Sequence, residues 1–357
     1  MQRRRAPNER PPERASPIIP NFLQSLKVVA VISLFTFAIP NNLLGQAFVP
    51  LRGEGTVTIG YQYMSVHKHL QGDGTKFLAG RIYSQSMSAI VDYGVTDKLA
   101  ASFVVPYIAS MYKGFNAHNP GTLAVPNDQK LLDDGTYHGA FQDIGFGVRY
   151  SLALKPVAIT PFIALNIPSH DYVFYAHTAP GRKLRQLNLG ASVGGQSETF
   201  LPRSYFHVRY AYEITERTEV EGVSYGANQS LLRGDFGFLL TPRISAKAIQ
   251  LLQITHGGLN YPTDFPDRTS ELWLHHDQIQ RINFLEMGGG IDYSLSSSTD
   301  LSLTALKTVW GRNGHWLRMG LGVGLTWYFP RGRAGAGAGS DSGAQRAGQN
   351  PAVTHTH

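Results

Sequence analysis

The sequence predicts an all-β fold: a transmembrane antiparallel up-and-down β-barrel of 12 strands. Three observations predict it. About a dozen segments in succession alternate apolar and small or polar residues with period two, as strands with two different faces do. The connectors between them alternate between long and short, as expected when one rim faces outside and the other faces the periplasm. Finally, residues 317–329 (LRMGLGVGLTWYF) carry an apolar row at Leu317, Met319, Leu321, Val323, Leu325, Trp327 and Phe329. The opposite face holds Arg318, Gly320, Gly322, Gly324, Thr326 and Tyr328. Thirteen residues are long for a half-buried soluble strand, whereas a tilted strand crossing a bilayer needs about 9–11 residues. This segment reads as the closing strand, apolar face to lipid.

The other strands follow in order. The first places Val57, Ile59, Tyr61 and Tyr63 outward, and the second places Tyr83, Met87, Val91 and Tyr93 outward against Ser84, Ser86, Ser88 and Asp92. Leu99, Phe103, Val105 and Tyr107 make the third. The fourth sets Ile144, Phe146, Val148 and Tyr150 against Asp143, Gly145, Gly147 and Arg149. Strands over 157–167 and from Leu187 to Val193 come next. The seventh sets Phe206, Val208, Tyr210, Tyr212 and Ile214 against His207, Arg209 and Glu213. Strands eight (230–240) and nine (244–254) meet at Thr241-Pro242-Arg243, and strand nine shows no readable register. Leu285, Met287, Ile291 and Tyr293 face out on the tenth, and 301–309 is the eleventh. The connectors on the outer side, mostly long, are 65–80, 108–141, 168–186, 215–229, 255–281 and 310–316; an even strand number puts both termini on the short-turn side. Outward aromatics fall near both ends of the strands, as interfacial girdles do.

The two ends read differently. Residues 1–47 carry Arg3, Arg4, Arg5, Arg10, Arg14 and Lys27, then an apolar core of a dozen residues from Val28 to Ile39. That core is too short for a comfortable spanning helix and fits an export signal, with cleavage expected after Ala47. Residues 330–357 are Gly/Ala-rich with almost no large apolar side chain, the composition of a disordered tail. The formal charge of +7 belongs mostly to these ends: residues 1–47 contribute +4, residues 330–357 contribute +2, and the stretch 48–329 only +1. A nucleic-acid partner therefore loses its main support. The absence of cysteine removes disulfides, thiolate metal sites and cysteine nucleophiles.

YGVTDKLAASFVVPYI (93–108) and FQDIGFGVRYSLALKPVAITPFIALNIPSHDY (141–172) resemble hairpins of the outer-membrane proteins named for the MetA pathway of phenol degradation. The resemblance is clearest over about 80–172. It implies a porin-like transporter and carries no substrate with it.

A lumen lined by mixed charge is the main functional expectation. Arg149, Arg209, Arg233 and Arg318 would face Asp92, Asp143, Asp235, Glu286 and Asp292, a basic ladder opposite an acidic one that selects solutes by charge. The competing reading is that these charges merely pair and fill a narrow barrel. Small, aromatic or hydrophobic solutes are the expected cargo, and no cofactor or metal is expected. A lipid hydrolase is the rival class, but Thr255-His256-Gly257-Gly258 lacks a serine two residues beyond the histidine. A surface-binding barrel is the third: Tyr172, Phe174, Tyr175, Arg182, Lys183 and Arg185 form a loop that either meets lipopolysaccharide phosphates or folds inward. Ten histidines, His67, His69, His275 and His276 among them, are assigned to outer loops, and only His207 to a strand. Their titration suggests a pH-dependent mouth. The expected partners are the lipid bilayer, lipopolysaccharide, a small solute and the barrel-assembly machinery.

Overall fold

The computed structural model describes residues 47–114, 132–155, 157–197, 201–265, 267 and 269–329. The basic segment before Ala47, the tail after Phe329 and most of the 108–141 connector lie outside the described residues. Twelve antiparallel strands form one closed barrel. They are β1 (Gly55–Leu70), β2 (Arg81–Gly94), β3 (Leu99–Lys113), β4 (His138–Phe141 and Ile144–Tyr150), β5 (Ala158–Ile167) and β6 (Gln186–Ser197). The second half comprises β7 (Ser204–Thr215), β8 (Ala227–Thr241), β9 (Ile244–Gly257), β10 (Asn283–Ser296), β11 (Thr299–Arg312) and β12 (Gly314–Phe329). Each pairs with its sequence neighbour, and β12 returns to β1 from Gly55↔Phe329 to Leu70↔Gly314. Closure leaves no sheet edge, so the wall's backbone groups find their partners on neighbouring strands.

Burial follows the period-two pattern. Ile59, Tyr61, Met87, Val91, Phe103, Phe146, Val148, Ile163, Tyr210, Met287, Leu321, Val323, Leu325 and Trp327 all point out and are exposed, while Thr58, Ser84, Ser86, Ser88, Asp92, Ser192 and Thr326 between them are buried. Large apolar side chains outside and hydroxyls inside are what a barrel with lipid around it requires.

Three features depart from the sequence reading. First, several strands run past their expected outer ends: β1 continues to Leu70 and β3 to Lys113. Above the bilayer the outer face meets water, so the outward positions turn polar and the alternation fades while the hydrogen-bond ladder continues. Second, β9 faces Ser245, Lys247, Ile249, Leu251, Gln253 and Thr255 inward, in register with the inward rows of β8 and β10. Its register was unreadable because Ile249 and Leu251 are as apolar as the outward Ala246, Ala248 and Ile254. Third, β12 is not one uninterrupted row. Its pairing with β1 shifts between Ser65 and Val66 and again between Val66 and Lys68. The bulges insert Arg318 on β12 and His67 on β1, so Leu317 turns in, 3% exposed, and Arg318 turns out.

Two short helices, α1 (Glu271–Leu274) and α2 (His276–Ile279), belong to the long β9–β10 connector. Ser270 caps α1 by accepting a hydrogen bond from the Trp273 backbone N–H. Phe265, Trp273 and Ile279 pack with Val220, from the Thr218–Val220 arm of a small outer hairpin, into an apolar cluster.

Candidate functional site

The lumen is built in layers, and its periplasmic end is crossed by the chain itself. Residues from Ala47 onward run along the inside of the wall before entering β1. Ala47 is fully buried and its carbonyl accepts a hydrogen bond from Thr160 on β5. The Phe48 carbonyl accepts one from Arg149 Nη2 on β4 at 3.4 Å, and its ring meets His207 on β7 at 6.1 Å. A side chain at Gly194 on β6 would have its Cβ 2.7 Å from that of Ala47, so the close approach needs glycine there.

Above this segment lies the charged layer. Arg149 binds Asp92 through both guanidinium Nη atoms, one at 2.6 Å, with Asp92 wholly buried. Arg233 Nε lies 3.5 Å from Asp235 Oδ2, two residues along the same strand, and Asp235 Oδ1 has no hydrogen-bond partner. Lys247 donates to Asp292 at 2.8 Å, and Ser245 and Tyr205 also reach that carboxylate. Asp143 accepts a hydrogen bond from Tyr172. Glu286 is buried, with Thr308 Oγ1 at 3.5 Å, and is separated from Arg233 by Leu251 in the cross-strand row. Arg209 differs from all of these. Its guanidinium lies 3.4 Å from the centroid of Phe162 and has no carboxylate within 4.0 Å among the described residues. Its neighbours Arg149 and Arg233 both act on it electrostatically, and it keeps partial contact with the lumen.

Of the nine residues expected to line the lumen, Asp92, Asp143, Arg149, Arg209, Arg233, Asp235, Glu286 and Asp292 have inward side chains. Arg318 does not: the bulge turns it to the outer surface, where Nη1 lies 3.2 Å from His67 Nδ1. In place of a ladder of bases opposite acids the lumen has local pairs, Asp92–Arg149 between β2 and β4, Arg233–Asp235 on β8, and Lys247–Asp292 between β9 and β10. Lys247 was missed because strand nine had no readable register.

The outer half of the lumen is more apolar than the sequence suggested. Met64, Val66, Ile82, Tyr112 and Leu317 pack together on the inner face of β12, β1, β2 and β3. Above them the 168–185 loop folds inward. Asp133 accepts hydrogen bonds from the His177 and Thr178 backbone N–H groups and the Thr178 hydroxyl, with His177 Nδ1 at 2.9 Å. Tyr172 and Tyr175 are buried, and burial plus the Asp143 carboxylate push the Tyr172 phenol above its ordinary range. Arg182 pairs with Glu213, Lys183 with Asp171 and Arg185 with Glu216.

Between this loop and the β9–β10 connector is a cavity of about 230 Å³, lined by His69, His177, His276, His315, Trp273 and Tyr261 among others. The rings of His69 and His315 are 4.5 Å apart and those of His69 and His177 5.3 Å apart. The loop assignment needs correcting for five histidines: His67 and His69 lie on β1, His138 on β4, His256 on β9 and His315 on β12. His275 and His276 do lie in the β9–β10 connector, His276 in α2 with His275 as its N-cap. Among the described residues no three His, Asp or Glu side chains form a metal-ligand set.

One contact bears on the hydrolase reading. Ser230 on β8 and His256 on β9 lie 2.7 Å apart, Oγ to Nε2, on the outward face near the outer rim. The serine comes from the neighbouring strand, which a search along the chain could not find. Nδ1 of His256 meets no acceptor among the described residues, and the Asn228 amide opposite it is engaged by Thr215 N–H and Tyr212 Oη. The group that would orient the base is thus not in place.

No protein-family model and no curated protein sequence matches the chain. Among solved structures it resembles the COG4313 outer membrane channel from Pseudomonas putida F1. That match has a TM-score of 0.61 and 11% identity, and covers 82% of this chain and 100% of that one. It also aligns with the NanC porin, at a TM-score of 0.42 and 10% identity over 76% of this chain and 98% of that one. The translocator domain of the autotransporter NalP from Neisseria meningitidis aligns at 0.45 and 11%, over 76% and 88%. At these identities the first likeness establishes the fold. The chain folds as an outer-membrane β-barrel.

Proposed function

We propose that the protein is an outer-membrane channel for small solutes that combine an apolar body with a negatively charged group. Arg209 is the observation that carries this reading. It is a lumenal cation with one face on Phe162 and, among the described residues, no carboxylate partner, while Arg149, Arg233 and Lys247 each have one nearby. A cation in a partly dehydrated passage attracts anions strongly because the local dielectric is low. The apolar inner wall at Met64, Val66, Ile82 and Leu317 offers the other half of such a solute a surface. The resemblance to the MetA-pathway barrels agrees with transport and names no cargo. Delivery to the membrane by the barrel-assembly machinery belongs to the same proposal.

Liposome swelling tests it. Proteoliposomes should admit benzoate faster than benzyltrimethylammonium, an impermeant cation with the same aromatic body, and Arg209→Ala should remove most of that difference. Equal rates for both solutes in the unaltered protein would contradict the charge preference. The Ser230–His256 contact supports a second reading, lipid ester hydrolysis, which is tested on the same preparation. Fatty-acid release that disappears in Ser230→Ala would favour it over transport.

A further inference from the structure

The bulges that turn Arg318 and His67 outward bring them into a larger group of cations on the outside of the barrel. Lys68 on β1, Arg81 on β2, Lys113 on β3, Lys307 on β11 and Arg318 on β12 are all exposed. They occupy five consecutive strands across the seam that closes the barrel. Arg81 and Lys113 are directly opposite each other in the β2–β3 ladder, and Arg81 and Arg318 both act on the His67 ring. None of the five has a carboxylate within 4.0 Å among the described residues.

In the inward-folded 168–185 loop, by contrast, Arg182, Lys183 and Arg185 each hold a carboxylate. Like charges placed opposite one another on neighbouring strands destabilise a sheet. A gathering of cations with no counter-charge among the described residues therefore points to an external anion.

Depth selects the anion. Phe329 marks the periplasmic girdle, and Arg318 lies about 36 Å along β12 from it at ~3.3 Å per residue. With a tilt of roughly 40° that is about 28 Å along the barrel axis, just above an apolar band roughly 25 Å tall. The cations thus sit at the outer-leaflet headgroups. Directly below them Met319, Leu321, Met87 and Tyr61 present an exposed apolar face suited to acyl chains. The occupant must be an amphiphile with several phosphates on its headgroup.

We infer that the β11–β12–β1–β2–β3 face binds the phosphorylated headgroup of lipid A in the outer leaflet, with Arg81 and Arg318 as its central phosphate ligands. The inference rests on the barrel's placement in the membrane and not on channel activity. Guanidinium groups suit it because they bind phosphate oxygens bidentately.

The test is binding of bisphosphorylated lipid A, dephosphorylated lipid A and phosphatidylglycerol to the purified full chain in detergent, read by native mass spectrometry. Bisphosphorylated lipid A should bind at least tenfold more tightly than either of the others. Arg81→Ala/Arg318→Ala should abolish that preference, and Arg81→Lys/Arg318→Lys should keep part of it. Arg182→Ala/Arg185→Ala should leave it unchanged. Heat-modifiable gel mobility confirms that each variant is folded, and swelling rates report the channel separately. Equal binding of all three lipids, or an undiminished preference in the folded double-alanine variant, would overturn the site. Loss of solute flux with lipid A binding intact would instead count against the transport reading alone.

Discussion

Arg318 and His67, the extra residues on the two strands that close the barrel, meet across the seam at 3.2 Å on its outer surface. A paired bulge of this kind reverses the facing of everything beyond it on each strand. Leu317, which continued the lipid-facing row in the linear pattern, becomes part of the inner apolar cluster instead. Deleting Arg318 should remove the bulge on β12 and leave Leu317 facing in, because it then directly adjoins the outward Met319. We expect a folded barrel on unheated gels in which a cysteine at 317 stays lumen-reactive. A cysteine at 317 that becomes lipid-shielded would show that the bulge does not set its facing.

The wall itself gives a second test. Val323 is 42% exposed on the lipid side, so Val323→Arg places a charge near mid-bilayer at a cost of about 2–4 kcal/mol. Gly322 faces in, where an added Cβ would lie 2.5 Å from Thr304 Oγ1, a strain that a rotation of the threonine side chain relieves. Gly322→Ser should assemble well and Val323→Arg poorly, measured as the folded fraction on unheated gels.

Asp92 and Arg149 form the best-buried ion pair of the charged layer. Arg149→Ala leaves a buried carboxylate without its partner, and such losses cost roughly 3–5 kcal/mol. Replacing both residues, Asp92→Ser with Arg149→Ser, should recover much of that stability. Denaturant midpoints of the single and double variants check it, and equal destabilisation in both would contradict the account.

Much of this was legible in the sequence, and what was not has physical causes. Period two, the alternating connector lengths and the girdles disclosed the strands because lipid and lumen impose different chemistry on neighbouring residues. Strand nine was obscure because Ile249 and Leu251 are apolar and face in. Arg318 was misplaced because a bulge leaves no mark in composition. Ser230 was missed because it meets His256 across a strand pair, 26 residues away in the chain. The histidine cavity was unreadable for the same reason, since His69, His177 and His315 come from three distant segments.

That cavity predicts acid sensitivity. Imidazoles titrate near pH 6.5 in water, and rings 4.5–6.4 Å apart repel once charged, with Asp133 and Asp277 only partly offsetting them. Asp134 lies on the same rim, held down to about 2 by hydrogen bonds from Thr136 and His138. Because its pKa is lowered on folding, its contribution is complete above its ordinary value and is lost only as the pH falls through about 2. Burial, then the neighbouring His69 imidazole, hold the His315 pKa well below its ordinary value, so it is neutral at neutral pH and gains its charge only well into the acid range. Conductance noise should therefore rise only as the pH falls below about 6.5 and the mouth loosens, and His69→Gln/His315→Gln should flatten the response.

The inner segment at the periplasmic end makes its own prediction. If Phe48 begins the mature chain, deleting residues 48–52 removes the strip that touches Arg149 and His207. Single-channel conductance should rise severalfold, with heat-modifiable mobility unchanged. An unaltered conductance would show that this segment does not limit flow.

The most direct test of transport through a charge-selective lumen is the reversal potential of single channels in a potassium chloride gradient. The account predicts discrete conductance steps with a reversal potential displaced toward that of chloride, and a shift toward that of potassium in Arg209→Ala. A membrane that shows no steps, or a reversal potential unmoved by Arg209→Ala, would contradict it.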